Sequence, residues 1–299
     1  MNAVIDLGTN TFHLLVARSG EDGTWETLFR ERIYVKLAED GIHHIGEAAF
    51  QRGLAAVKKF RSKLDEMGIP ASDARAFGTA ALRTADNAGD FFKALYEQTG
   101  IRGEAIDGHR EALLIYKGVK QAVPFPENGK VLIMDIGGGS VEFIIADRDG
   151  LYWRHSFPVG VAILFQHFHK HDPISKKEIY DEQFFLEGAL SELWTALEKF
   201  PCESLVGASG TFDVIDMLLM DPETKPLLYG HVQVEAFEPL YKRIVATTKE
   251  ERRAMTEIPE ERVEMVVVAM VLIRYVLERT GFKDIYTSVY AMKEGMLVG

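Results

Sequence analysis

The sequence predicts an α/β protein made of two copies of one domain plan, each with a mixed sheet, flanking a central cleft. The first observation is an internal repeat. "AVIDLGTNTFHLLVA" (3–17) aligns without gaps on "LIMDIGGGSVEFIIA" (132–146), so that Asp6 falls on Asp135, Gly8 on Gly137, Thr11 on Ser140 and Ala17 on Ala146. The second is a later match at nearly the same offset: Gly78-Thr79 in "AFGTAA" answers Gly210-Thr211 in "GASGTF". The third is the order of elements, three strands followed by alternating helix and strand, read twice.

In the first half, apolar runs predict strands near 2–6, 12–18 and 25–35, a helix over 47–67 and a strand near 73–78. A helix near 88–99, a strand near 104–107 and a helix from about 109 follow. In the second half, strands are expected near 130–136, 140–147 and 151–158, with helices over 161–169 and 176–199. A strand near 204–208, helices near 211–220, 234–247 and 260–280, a strand near 284–287 and a last helix complete the plan. "KQAVPFPENGK" (120–130), with two prolines and a glycine, is the natural join. Domains are therefore expected over 1–124 and 125–299, with the last helix free to pack back on the first.

Composition narrows the function classes. At 299 residues, 47% hydrophobic and 10% aromatic, the chain has ample material for a core. A formal net charge of −11 argues against a DNA, RNA or anionic-membrane binder. Any anionic substrate must be captured by local donors. The lone cysteine, Cys202, excludes an intramolecular disulfide and a cysteine-based zinc site. "MNAVIDLG" has no charged leader and is interrupted at Asp6, so it does not read as a signal peptide. "MVVVAMVLI" (265–273) is too short to span a bilayer and reads as a core helix. A cytoplasmic protein is expected.

The two Asp-x-Gly turns carry the chemistry. Glycines and hydroxyl residues at a strand–turn–strand bend present several N–H and O–H donors to one point, which makes an anion nest. The phosphate-binding candidates are Gly8, Thr9, Asn10 and Thr11 in the first turn, and Gly137, Gly138, Gly139 and Ser140 in the second. An ordinary hairpin would use similar residues. Two such turns, each entered through an aspartate at a strand end, favour paired phosphate loops facing each other across the cleft. Neither turn has the G-K-[ST] of a Walker A loop or a G-x-G-x-x-G fingerprint.

These features resemble the actin-like (ribonuclease H-like) ATPase superfamily, and within it the exopolyphosphatase / guanosine pentaphosphate phosphohydrolase (Ppx/GppA) family. The resemblance rests on "IDLGTNTFHLLVA", "GTAALRTADN" (78–87), "DGHREALLIYKGV" (107–119) and "DIGGGSVEF" (135–143). It continues through "GASGT" (207–211), "PEERVEMVVVAMVLI" (259–273) and "YAMKEGML" (290–297). It implies that Glu111, at a helix start that welcomes a carboxylate, is the catalytic base. Arg110 stands beside it where the family often has a second acid. Arg83 would be a forked phosphate donor. Asp135 and Glu142 would hold Mg²⁺ or another divalent cation, an ion that favours one or two hard protein oxygens. The first-half counterpart of Glu142 is His13, so the repeat is asymmetric there. Gly207, Ser209, Gly210 and Thr211 would line the cleft. Arg262 and Glu264 stand where the family has Arg-x-Asp.

His167 and His171 fall four apart in "HFHKHD", a metal-like spacing on a helix, but no third ligand is organised with them; a surface helix end is the better reading. The resemblance implies a Mg²⁺-dependent phosphohydrolase acting on polyphosphate first and guanosine pentaphosphate second. An ATP-dependent kinase and a non-catalytic alarmone sensor are the alternatives on the same fold. Longer relatives carry a further helical C-terminal region. With the sequence ending at Gly299, shorter polyphosphates are expected to suit it, or a partner subunit to extend the channel, and the resemblance also admits a homodimer.

Overall fold

The computed structural model describes residues 1–20, 24–221, 223 and 228–298. The chain divides into two compact units, Met1–Leu114 with Met292–Gly299, and Ile115–Ala291.

In the first unit β1 (Asn2–Leu7), β2 (Thr11–Ser19) and β3 (Trp25–Tyr34) form an antiparallel meander. After α1 (Glu47–Glu66), β4 (Ala74–Gly78) joins β1 in parallel. Short α2 (Ala80–Thr84) and α3 (Ala88–Thr99) then lead to β5 (Gly103–Ala105), which extends the sheet in parallel to the order β3-β2-β1-β4-β5. α4 (Gly108–Ala122) follows, and the division between the units falls within it. Phe12, Phe60 and Phe91 are fully buried between this sheet and its helices.

The second unit repeats the plan. β6 (Val131–Ile136), β7 (Val141–Ala146) and β8 (Leu151–Phe157) form its meander, followed by α5 (Val161–Phe168), α6 (Lys176–Ala189) and α7 (Ser191–Lys199). β9 (Ser204–Ala208) pairs in parallel with β6. α8 (Thr211–Leu219), β10 (Tyr229–Gln233), α9 (Val234–Val245), α10 (Lys249–Arg253) and α11 (Val266–Thr280) lead to β11 (Asp284–Ser288). The sheet order is β10-β11-β9-β6-β7-β8, the first unit's order with one antiparallel edge strand added. The duplication extends to its irregularities. A register shift sits between Val16 and Ala17 on β2 and at the aligned Ile145 and Ala146 on β7. The final α12 (Met292–Gly295) belongs to the first unit, packs on β1 and β2, and lets Arg75 donate to the Met296 carbonyl.

The apolar run at 265–273 is the core helix the sequence predicts: every residue of α11 from Val266 to Ile273 is buried. None of the described helices is long and apolar enough to cross a membrane. Three expectations are corrected. The helix over 176–199 is two helices meeting at Leu190, whose amide bonds the Leu186 carbonyl and whose own carbonyl starts α7. The helix over 260–280 begins at Val266: the residues before it close tight turns, Arg262 N–H to the Pro259 carbonyl at 2.8 Å and Met265 N–H to the Arg262 carbonyl at 3.1 Å, and the Val263 carbonyl accepts from Arg252 Nε at 2.8 Å. Strand β10 was not anticipated, since "YGHVQ" contains a glycine, which weakens a strand. That glycine is required: a Cβ on Gly230 would overlap Asp216 and Thr287, and its N–H donates to Thr287 Oγ1 at 3.0 Å.

Candidate active site

In the first unit the β1–β2 turn closes through Gly8 N–H to the Thr11 carbonyl, 3.2 Å, and a Cβ on Gly8 would lie 2.7 Å from that oxygen. Carbonyls of the turn are fixed from outside: Leu37 N–H donates to Thr9 and Val35 N–H to Asn10, both at 2.8 Å. Thr9 is buried, and its hydroxyl accepts from the Ala81 N–H at 3.2 Å, one of the amides that a helix start leaves without an internal acceptor. This bond ties the turn to α2, the helix that carries Arg83.

Arg83 meets Glu111. Its Nη1 donates to Glu111 Oε2 at 2.8 Å and to the Ile106 carbonyl at 3.0 Å. Glu111 lies in the first turn of α4 and is buried, at 6% exposure. The helix start is set by Asp107, whose carboxylate accepts from Arg110 N–H at 2.7 Å. The neighbouring Arg110 is engaged elsewhere: its guanidinium pairs with Glu104 at 2.8 Å and stacks on Phe77, 4.4 Å from the ring centre. Glu111 is instead in contact with the cation of Arg83, twenty-eight positions away in sequence.

In the second unit Asp135 and Glu142 are direct cross-strand partners on β6 and β7, which puts both carboxylates on one face of the sheet. The aligned pair in the first unit is Asp6 and His13. Both Asp135 and Glu142 are buried. Asp135 Oδ2 accepts from Ser209 Oγ at 3.2 Å. Glu142 Oε1 accepts from Ser140 Oγ and Ser156 Oγ, each at 2.6 Å. The Ser140 hydroxyl is therefore committed to Glu142. Between the two acids, Gly137 N–H bonds the Ser140 carbonyl at 3.0 Å, matching the Gly8 turn. The carbonyls of Gly137 and Gly138 accept from Val161 and Ala162 at the start of α5. With those peptide planes fixed, no acceptor among the described residues takes the Gly138 or Gly139 N–H. A Cβ on Gly160 would overlap the Gly138–Gly139 backbone, so the close approach of α5 requires glycine there.

Gly207 and Ser209–Thr211 form the β9–α8 loop beside Asp135. Ser209 has φ +64° and Gly210 φ +44°, a left-handed pair that aims the serine hydroxyl at Asp135. The Arg262 guanidinium covers Gly210, where a Cβ would come within 2.7 Å of Nη1. Glu264 pairs with Lys249 at 2.6 Å.

The candidates thus fall into two sets. Gly8–Thr11, Arg83 and Glu111 are linked in the first unit; Asp135, Gly137–Ser140, Glu142 and the Gly207–Thr211 loop are linked in the second. Sequence reasoning missed the Arg83–Glu111 contact, the part Ser140 and Ser209 play in orienting the acids, and Ser156 altogether. Ser156 was within reach, because continuing the hairpin register from Glu142 arrives at it.

His167 and His171 do not share a helix. α5 ends at Phe168, and His171 is exposed, with Nδ1 3.2 Å from Glu178. The buried member of the segment is His169, whose pKa is pushed down by burial and by the nearby Arg252. Among the described residues no three His, Cys, Asp or Glu side chains gather as a metal cage.

Two glycine turns, each between antiparallel strands entered through an aspartate, and a duplicated mixed sheet define a protein of the actin-like ATPase fold. The chain belongs to the Ppx/GppA phosphatase family, whose family model matches residues 15–299. It is similar to an exopolyphosphatase from Cytophaga hutchinsonii, at 38% identity and a TM-score of 0.94, covering 99% of this chain and 96% of that one. It shares the fold of the Aquifex aeolicus Ppx/GppA family member at 22% identity and a TM-score of 0.81, covering 99% and 95%. The family assignment makes the protein a phosphohydrolase.

Proposed function

We propose that this protein is an exopolyphosphatase, releasing terminal phosphate from inorganic polyphosphate, with guanosine pentaphosphate as the second substrate. The observation that carries the catalytic reading is the buried Glu111 carboxylate, held at 2.8 Å by Arg83. A base must be fixed before the reaction to orient water, and a charge-assisted bond to an arginine fixes it. The choice of polyphosphate is supported by 38% identity, over 99% of the chain, to the C. hutchinsonii exopolyphosphatase.

In this reading Glu111 accepts the proton of the attacking water, and Arg83 positions it while offering its remaining N–H groups to phosphate oxygens. Gly8–Thr11 and the Gly138 and Gly139 N–H groups bind phosphoryl oxygens, with α5 holding the second loop in its donor-outward form. Asp135 and Glu142 fit Mg²⁺: they are two hard carboxylates on one face of a sheet, each oriented by serine hydroxyls. When bound, the ion would neutralise charge on the transferring phosphoryl group. Gly207, Ser209, Gly210 and Thr211 complete the wall beside Asp135.

Phosphate release from short polyphosphate, long polyphosphate and guanosine pentaphosphate, assayed side by side with Mg²⁺, tests the substrate. The expected result is the highest kcat/KM on polyphosphate, shorter chains leading. A higher value on guanosine pentaphosphate would reverse the order proposed.

A further inference from the structure

α6 is built inside out. Its buried face is Glu178, Glu182 and Leu186, while Tyr180 is 65% exposed, Phe184 73% and Phe185 40%. Glu178 is explained: it accepts from the backbone amides of Lys170, His171 and Ser175 and closes a capping box with Ser175. Glu182 is fully buried, and neither carboxylate oxygen has a hydrogen-bond partner in the structure. Desolvation holds its pKa well above the ordinary carboxylate range.

The outward face is a continuous aromatic stripe. Tyr180 and Phe184 stack one turn apart, with ring centres 6.4 Å apart, and Phe185 packs on Phe168 at 5.3 Å, extending the patch onto the end of α5. Scattered exposed apolar residues are ordinary, but a contiguous aromatic patch on one helix marks an interaction surface.

The charges flanking the stripe say which partner fits. Lys176 and Lys177 stand at its N-terminal end, and Glu187 and Gly188 at its C-terminal end. Lys177 is 82% exposed and pairs with Asp181 on its own helix; Glu187 is half exposed and is held in place by Arg279 at 3.2 Å and by the Tyr275 hydroxyl. In an antiparallel pairing of two such helices, the register that sets Tyr180 against Phe184 of the partner subunit also sets Lys177 against Glu187 of the partner subunit. Both pairs lie symmetrically about position 182. The same arrangement opposes the helix dipoles and brings the lysines to a helix C-terminus. A membrane-surface helix would instead be basic along its polar face; this one carries Asp181 and Glu187, in a chain of net charge −11.

We propose that the outward face of α6 is the surface on which a second copy of this chain docks, the two α6 helices antiparallel about a two-fold axis. The contact is isologous, so every interaction occurs twice. A 14-residue helix is about 21 Å long, so the pair falls at the low end of specific interfaces and gives a concentration-dependent dimer.

Sedimentation equilibrium of the full chain from about 1 to about 200 μM is the test. The expected result is a mass rising from monomer to dimer across that range. Phe184→Glu should weaken association more than tenfold, and Lys177→Glu should weaken it several-fold, since two lysine–glutamate pairs become repulsive. Both positions are exposed, so far-UV circular dichroism and melting temperature should stay at wild-type values. A monomer at every concentration would overturn the proposal, as would a dimer indifferent to Phe184→Glu. So would a monomer that floats with phosphatidylcholine–phosphatidylglycerol vesicles and loses that binding in Phe184→Glu.

Discussion

Glu111→Gln is expected to reduce phosphate release from polyphosphate by roughly 10²–10⁴-fold while polyphosphate binding stays measurable. The amide keeps the size and shape of the acid, and its oxygen can still accept from Arg83. Asp107 continues to cap α4, so the local fold is untouched. Only the proton acceptor is lost. The Arg83 contact adds a second expectation. Because the two side chains act as a unit, Arg83→Ala combined with Glu111→Gln should cost far less than the sum of the single losses. A phosphate-release assay and equilibrium binding of a labelled polyphosphate measure both quantities. Full activity in Glu111→Gln would remove Glu111 from the mechanism and leave its burial a purely structural matter.

Asp135→Asn should lower activity at fixed Mg²⁺ by at least about 10²-fold, the scale of several kcal/mol of charge stabilisation by a bound ion. It should also move half-maximal activation to higher Mg²⁺. The substitution retains an oxygen that can accept from Ser209 Oγ, so the β9–α8 loop and the sheet register should persist. The melting temperature separates the two origins of a loss. An unchanged melt with a shifted Mg²⁺ titration assigns the effect to the lost charge. An unchanged Mg²⁺ titration would show that Asp135 is no metal ligand.

The sequence carried the fold because the fold is a repeat. Aligning Asp6 with Asp135 without gaps already implied the same hairpin twice, and the structure repeats it down to the register shift on β2 and β7. The seven-residue spacing from Asp135 to Glu142 follows from that hairpin, since a short turn makes the two direct partners. What could not be read was anything that depends on long-range packing. Arg83 and Glu111 approach only because α2 and α4 are placed by different strands, β4 and β5, and no periodicity records that. Ser209 reaches Asp135 through a positive-φ backbone that a serine rarely adopts. The break at Leu190 comes two residues after Gly188, and the late start of α11 lies where Arg252 donates to the Val263 carbonyl, a tertiary contact that helical periodicity does not record. His167 and His171 misled for the same reason: their spacing assumes a helix that ends one residue after the first of them.

The central claim, that water activated at Glu111 attacks a terminal phosphoryl group, is tested most directly by running the polyphosphate reaction with Mg²⁺ in ¹⁸O-water. Mass spectrometry of the released phosphate should find one solvent oxygen in each molecule, with negligible release from Glu111→Gln in the same mixture. Phosphate appearing without solvent oxygen, or appearing equally fast from Glu111→Gln, would contradict it.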